Sequence, residues 1–169
     1  MIGEVLFDRD SIAARVRELG VQVSRDYAGR VPLLLGILNA AATFLADLSR
    51  AVTIPCEYDA IAVTTFSAAE GIRFLKDTSA SIEGRDVILV DDTIDTGMTL
   101  RYVMRSLAAR SPASLEVCTL LDRPARRIAD IEVKYRGFEI PDVYVVGYGL
   151  DYRGRYRELD ALYAHGMWP

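Results

Sequence analysis

Along this chain the spacing of apolar residues switches between a helical period and a strand period, and each switch marks an element. Ile12, Val16, Leu19 and Val23 lie on one helical stripe, with Ser11 or Asp10 ahead of them as the expected cap. Val31 to Leu38 is a nearly continuous apolar run, as a parallel strand covered on both faces requires, and Ala40 to Val52 reads as the helix after it. Glu57 to Phe66 alternates and predicts a strand. From Ser67 to Arg85 the pattern predicts a loop, a short strand around Ile72 to Leu75 and a turn at Glu83-Gly84. Val87 to Val90 is a second buried strand, residues 98–110 a helix, and Leu115 to Leu121 a further strand. The last third predicts short strands around Val143 to Val146 and a polar, aromatic tail. Strands alternating with helices imply a parallel α/β sheet, in which ligands bind at the carboxyl ends of the strands.

Composition narrows the classes without choosing among them. A length of 169 residues suits one domain, 1–169, with one core. Apolar residues make up 51% and charged residues 26%, the balance of a soluble globular chain. A net charge of −4 and a pI near 5.1 argue against a general nucleic-acid binder. No apolar run approaches the roughly 20 residues of a membrane span, and MIGEVLFDRD lacks the form of a signal peptide, so a cytoplasmic location is expected. Cys56 and Cys118 lack metal-ligand spacing and are expected as buried free thiols. His165 is expected as an exposed residue of the tail.

The chemistry concentrates in VILVDDTIDTGMTL, Val87 to Leu100. Asp91 and Asp92 stand where the strand is expected to end. The hydroxyls of Thr96 and Thr99, the flexible Gly97 and the free amides opening the next helix point donors into one small volume. A helix N-terminus carries roughly half a positive charge and suits an anion. Two adjacent carboxylates repel a phosphate but accept well from a vicinal diol. A ligand presenting both groups at that separation is a ribose 5-phosphate. The plainer alternative is a solvated turn with an ordinary N-cap, which needs one acid and not three in five residues. A Walker-type loop is excluded by the absence of G-x-x-x-x-G-K-[ST].

These fourteen residues resemble the phosphoribosyl-pyrophosphate loop of type I phosphoribosyltransferases. The segments EVLFDRDSIAARVRELG, LLLGILNAAATFLADL and GFEIPDVYVVGYGLDYRGRYREL extend the likeness, and they resemble the bacterial hypoxanthine (hypoxanthine-guanine) branch. The resemblance implies the type I fold: a mostly parallel twisted sheet flanked by helices, with a small hood formed by the terminal segments. It implies transfer of ribose 5-phosphate from phosphoribosyl pyrophosphate to N9 of hypoxanthine or guanine. By the same resemblance Asp91 and Asp92 bind the ribose hydroxyls, and Asp95 is the general acid/base near purine N7. Asp95, Thr96, Gly97, Met98 and Thr99 hold the 5-phosphate. Leu38, Asn39, Ala40 and Arg157 serve the pyrophosphate. Arg123, Tyr144, Val145 and Asp151 form the purine site, with Tyr144 stacking on the base. Asp151, with Asp91 and Asp92, serves a Mg2+ ion. Thr65, Phe66 and Gly71 belong to a flexible lid. The partners implied are the two small-molecule substrates and further copies of the chain, as homodimer or homotetramer, with neither nucleic acid nor membrane.

Four departures from the family pattern bear on this reading. The pyrophosphate loop has Leu38-Asn39-Ala40 where Leu-Lys-Gly is usual, and a Cβ at Ala40 disfavours conformations that Gly permits. The family loop commonly holds a non-proline cis peptide, and the resemblance leaves Leu38-Asn39 open between cis and trans. Arg123 replaces the lysine expected at the purine 6-oxo group; it keeps charge and donors but is longer and planar. The lid, Thr65 to Gly71, is shorter than the family's and loses a tyrosine hydroxyl. Asp91 replaces a more usual Glu. The alternatives are a paralogue acting on another heterocyclic base, and a weakly catalytic regulator that binds phosphoribosyl pyrophosphate or a nucleotide.

Overall fold

The computed structural model describes residues 2–65 and 71–166, with the backbone alone at Thr65. Helix α1 spans Arg9–Asp26 and starts a few residues earlier than the stripe suggests. Its cap is Asp8, whose carboxylate accepts from the Ser11 amide at 2.8 Å; neither Asp10 nor Ser11 caps, because both already lie in the first turn.

The central sheet has the order β4 (Ile72–Lys76), β3 (Glu57–Thr65), β2 (Leu33–Leu38), β5 (Asp86–Ile94), β6 (Ser114–Asp122), β7 (Tyr135–Glu139). All its pairs are parallel except β3 with β4. The apolar runs explain why it is covered twice. Leu34, Ile88, Val90, Cys118 and Leu120 face α1 and α2 (Ala42–Ala51), where Val16, Leu19, Val23, Phe44 and Leu48 are buried. Their strand neighbours Leu33, Leu35, Val87, Leu89 and Val117 face the other way, onto Leu100, Val103 and Leu107 of α3 (Met98–Ala108). Successive side chains of a strand point to opposite faces, so only a run without polar breaks supplies both layers. Each Leu or Ile so enclosed contributes about 1.5–3 kcal/mol.

The terminal segments form a second sheet, β1 (Ile2–Phe7), β9 (Leu162–His165) and β8 (Tyr144–Val146), in that order and antiparallel. This is the expected hood, and stacking of Phe7 on Phe138 at 4.0 Å ties it to the central sheet. Strands β1, β7 and β9 are absent from the sequence-based expectation. The tail expectation is corrected most sharply at His165. It is only 6% exposed, pairs in register with Tyr144 and stacks on Tyr152 at 4.3 Å. Cys118 is buried as expected, whereas Cys56 is only partly so. Among the described residues no helix is long and apolar enough to cross a membrane.

Candidate functional site

Strand β5 does not stop at Val90. It continues through Asp91 and Asp92 to Ile94, held by β6 as far as the pair Ile94 and Asp122. Asp91 and Asp92 are therefore consecutive strand residues. Asp92 lines the cavity described below; Asp91 is not among its lining residues. Burial pushes the Asp91 carboxyl well above its ordinary 3.8, and the charge of Asp92 beside it pushes the same way. Burial also raises Asp92, against hydrogen bonding and the nearby charge of Arg157. Two adjacent acids short of compensating cations are primed for donors or a cation brought by a ligand.

Beyond β5 the chain turns through Asp95, Thr96 and Gly97 into α3. Gly97 is the N-cap at φ +78, and a Cβ there would lie 2.8 Å from Ile131 Cδ1. The carbonyls of the turn face residues 123–129. Ile94 O accepts from the Arg123 amide at 3.0 Å, Asp95 O from Arg127 Nε at 3.1 Å, and Thr96 O from the amides of Ile128 and Ala129 at 2.9 Å each. The carbonyls are thus turned away from the start of α3, where the Met98 amide donates to the Thr96 hydroxyl at 3.4 Å; a helix N-terminus of this kind suits an anion. Met98 is exposed and can serve only through its backbone. Arg127 is itself held by Asp122, whose carboxylate is 1% exposed and also meets Arg136 at 2.7 Å.

Next to this loop lies a cavity of about 200 Å³ lined by Ala40, Asp92, Thr93, Asp95, Arg123, Tyr144, Val145, Leu150 and Asp151. Segments distant in sequence thus converge beneath the hood. Arg123 follows β6 and is buried, with Nη2 donating to Val143 O at 2.6 Å and Nη1 at 3.3 Å from Asp95 Oδ1. Asp95 Oδ1 also has Arg126 Nε at 3.0 Å, and Arg126 reaches Asp142 at 3.7 Å. Tyr144 stands in β8, its ring edge-on to Tyr152 and His165, and its hydroxyl donates to Asp151 O at 2.7 Å. Burial raises the Tyr144 hydroxyl, as does the charge of Asp151.

The third wall joins β2 to α2. The Leu38-Asn39 peptide is cis. Ala40 is not at positive φ, so its Cβ meets none of the strain that replacing a glycine raised. The Ala40 carbonyl packs against Gly149, where a Cβ would lie 2.4 Å away. Asn39 is exposed, and Leu38 lines a separate groove with Tyr58. Arg157 is anchored, with Nη1 donating to Gly149 O at 2.6 Å and Nη2 at 2.7 Å from Asp151 Oδ1. The Gly154 amide donates to Asp151 Oδ2 at 2.6 Å. Thr65 pairs with Ile72 through backbone and Gly71 has φ +72, while Phe66 lies outside the described residues. Among the described residues no three or more His, Cys, Asp or Glu side chains form a group able to hold a metal.

The structure therefore gathers Ala40, Asp92, Asp95, Arg123, Tyr144, Val145 and Asp151 in one place. Residue patterns did not foresee Arg126, Arg127 and Asp122, which fix Asp95 and its loop. The basic run LLDRPARR was their only trace in the sequence.

A phosphoribosyl transferase domain model matches residues 4–153. The hypoxanthine-guanine phosphoribosyltransferase of Mycobacterium tuberculosis is 42% identical over 168 residues, covering 94% of this chain and 83% of that one. The hypoxanthine phosphoribosyltransferase of Salmonella typhimurium is 43% identical over 162 residues, covering 92% and 91%. Among solved structures, a hypoxanthine-guanine phosphoribosyltransferase of Bacillus anthracis superposes with a TM-score of 0.95 at 33% identity, over 98% of this chain and 99% of that one. A Staphylococcus aureus hypoxanthine phosphoribosyltransferase gives 0.91 at 42% identity, over 96% and 92%.

Proposed function

The chain belongs to the phosphoribosyl transferase family, and on that premise we propose that it salvages purines, with residues 1–169 as a single transferase domain. It transfers ribose 5-phosphate from phosphoribosyl pyrophosphate to N9 of hypoxanthine or guanine, giving IMP or GMP and pyrophosphate. The observation that carries this reading is the cavity joining Asp92, Asp95, Arg123 and Tyr144 beside the N-terminus of α3.

In the reaction the C1′–O bond to pyrophosphate breaks, its electron pair leaves with the pyrophosphate, and N9 of the base bonds to C1′. The proton the base sheds goes to a carboxylate. Asp95 is the acid/base group, and Arg126 and Arg123 hold it beside the base. The loop Asp95 to Thr99 takes the 5-phosphate on its backbone amides, Met98 included. Asp92 and Asp91 take the ribose hydroxyls. Tyr144 stacks on the base, Arg123 donates to its 6-oxo group, and Val145 and Asp151 border the rest of its edge. Leu38, Asn39 and Ala40 offer backbone to the pyrophosphate, with Arg157 behind Gly149. Thr65, Phe66 and Gly71 belong to the lid.

Mg2+ fits this site as an ion that arrives with the substrate. Asp151, held by Arg157 and the Gly154 amide, would serve the ion directly or through water, and the buried pair Asp91 and Asp92 would gain from a cation nearby. Such an ion favours a few carboxylates plus phosphate oxygens, and it supplies charge neutralisation to the departing pyrophosphate. Assembly as a homodimer or homotetramer and a cytoplasmic site of action belong to the same family reading.

The test is an assay of purified protein with phosphoribosyl pyrophosphate, Mg2+ and each purine base. Nucleotide formation from hypoxanthine or guanine is expected; no product from any 6-oxopurine sinks the reading.

A further inference from the structure

We infer that Tyr148 is a positioning residue: its hydrogen bond to Asp47 fixes the loop bearing Asp151 and Arg157 against the turn Leu38 to Ala40, and so sets how tightly the donor's pyrophosphate is held. The inference rests on the transferase reading and concerns the donor side of the same site. Tyr148 follows β8 in a turn that its own backbone does not explain. Gly147, Tyr148 and Gly149 have φ of +100, +49 and +99, and of the three Tyr148 carries the side chain that disfavours such a value. A tyrosine keeps that conformation where its surroundings over-determine it. Here they do. Its amide donates to Leu159 O at 2.8 Å, its ring is buried, and its hydroxyl donates to Asp47 Oδ2 at 2.6 Å.

Asp47 stands on α2, the helix that follows the turn Leu38 to Ala40. Helix and loop therefore meet at two points. At one, Gly149 abuts the turn, where a Cβ would lie 2.4 Å from the Ala40 carbonyl oxygen and 3.2 Å from Thr43 Oγ1. At the other, further along α2, Tyr148 reaches Asp47. A single contact leaves a pivot; two fix an orientation. That orientation is passed on, because Arg157 Nη1 donates to Gly149 O at 2.6 Å and Nη2 lies 2.7 Å from Asp151 Oδ1. The acceptor of the Tyr148 hydroxyl is a carboxylate, which makes the bond one of the stronger kind. Burial first, and then this bond, raise the Tyr148 hydroxyl, so it stays a donor at neutral pH.

Steady-state kinetics of Tyr148→Phe with both substrates test the inference. The KM for phosphoribosyl pyrophosphate is expected to rise about tenfold, with kcat and the KM of the base within about twofold of the unaltered protein. Asp47→Ala should reproduce that rise, and Asp47→Asn, which keeps an acceptor oxygen, should recover most of it. Arg50→Ala, which removes the partner on the other Asp47 oxygen, should leave the donor's KM unchanged. A Tyr148→Phe protein with a lowered Tm and an unchanged donor KM overturns the inference, since the bond is then structural alone, and leaves the transferase reading standing. Should Tyr148→Phe not fold, Asp47→Ala decides by the same measure, because the Asp47 side chain lies partly in solvent. If the unaltered protein forms no nucleotide, the transferase reading fails and the inference falls with it.

Discussion

Gly149 lies so close to Ala40 that a Cβ on it would sit 2.4 Å from the Ala40 carbonyl oxygen, with Gly149 itself at φ +99. The loop that carries Asp151 and Arg157 is thereby packed directly on the turn from Leu38 to Ala40.

A methyl group at this position must push those two loops apart. Gly149→Ala is expected to lower stability by about 2 kcal/mol, from a strained φ and an overpacked contact. The KM for phosphoribosyl pyrophosphate should rise about tenfold, equivalent to about 1.4 kcal/mol. Urea denaturation and steady-state kinetics read the two effects, and an unchanged KM would show that the loops tolerate separation.

Asp95 and Arg126 are separable by kinetics. If Asp95 is the proton acceptor as proposed, Asp95→Asn should lower turnover by about 10²–10⁴-fold while phosphoribosyl pyrophosphate binding changes little. Arg126 pairs with Asp95 and so positions it. Arg126→Ala should lower kcat about tenfold with little change in the donor's KM, and Arg126→Lys should recover part of it. A normal kcat in Asp95→Asn would remove Asp95 from the chemistry.

Buried at the end of β6, Asp122 neutralises Arg127 and Arg136. Asp122→Asn leaves Arg127 without its counter-charge and should cost about 3 kcal/mol, the lower end of what breaking a buried pair costs, because both arginines keep some exposure. The same variant should weaken phosphoribosyl pyrophosphate binding, since Arg127 holds the carbonyl of Asp95. Chemical denaturation with and without the donor separates these effects.

The acid pair in β5 sets a pH dependence. Asp91 is held above its ordinary 3.8 in the folded chain, by burial first and the Asp92 charge second. A carboxyl raised on folding does no harm below its unfolded value; it destabilises increasingly as pH climbs through the interval up to its folded value, and fully above it. Asp91→Asn is therefore expected to raise the Tm of the ligand-free protein at neutral pH, and the gain should vanish as pH falls toward 3.8. Calorimetry across that range checks it; a gain independent of pH would assign the effect to packing.

Local pattern was enough for the two-faced strand β2, the apolar core of β5, α1 and α3, and the turn from Asp95 to Thr99, though it ended β5 at Val90 where the strand runs on to Ile94. In each, the signal lies within a few neighbouring residues: an apolar period, a glycine at a positive φ, hydroxyls at a helix start. The pattern failed where an element is stable only through a distant partner. β1 and β9 are short, and each owes its existence to pairings such as Ile2 with His165 across the whole chain. For the same reason His165 reads as tail in sequence and is buried in fact. β7 is likewise held by its neighbour, through pairs such as Cys118 with Tyr135.

By itself the sequence determined the layered sheet, the turn that opens α3 and, through family likeness, the chemistry to expect there. Tertiary structure alone decided that Asp92 and not Asp91 lines the cavity beneath the hood, that Arg126 and Arg123 share Asp95, and that Tyr144 closes on Asp151. Hydrophobic periodicity is a property of neighbouring residues, so it survives in the one-dimensional string. Which donor meets which acceptor depends on directions and distances of a few ångströms between residues far apart along the chain, and those exist only once the two sheets have closed over one another.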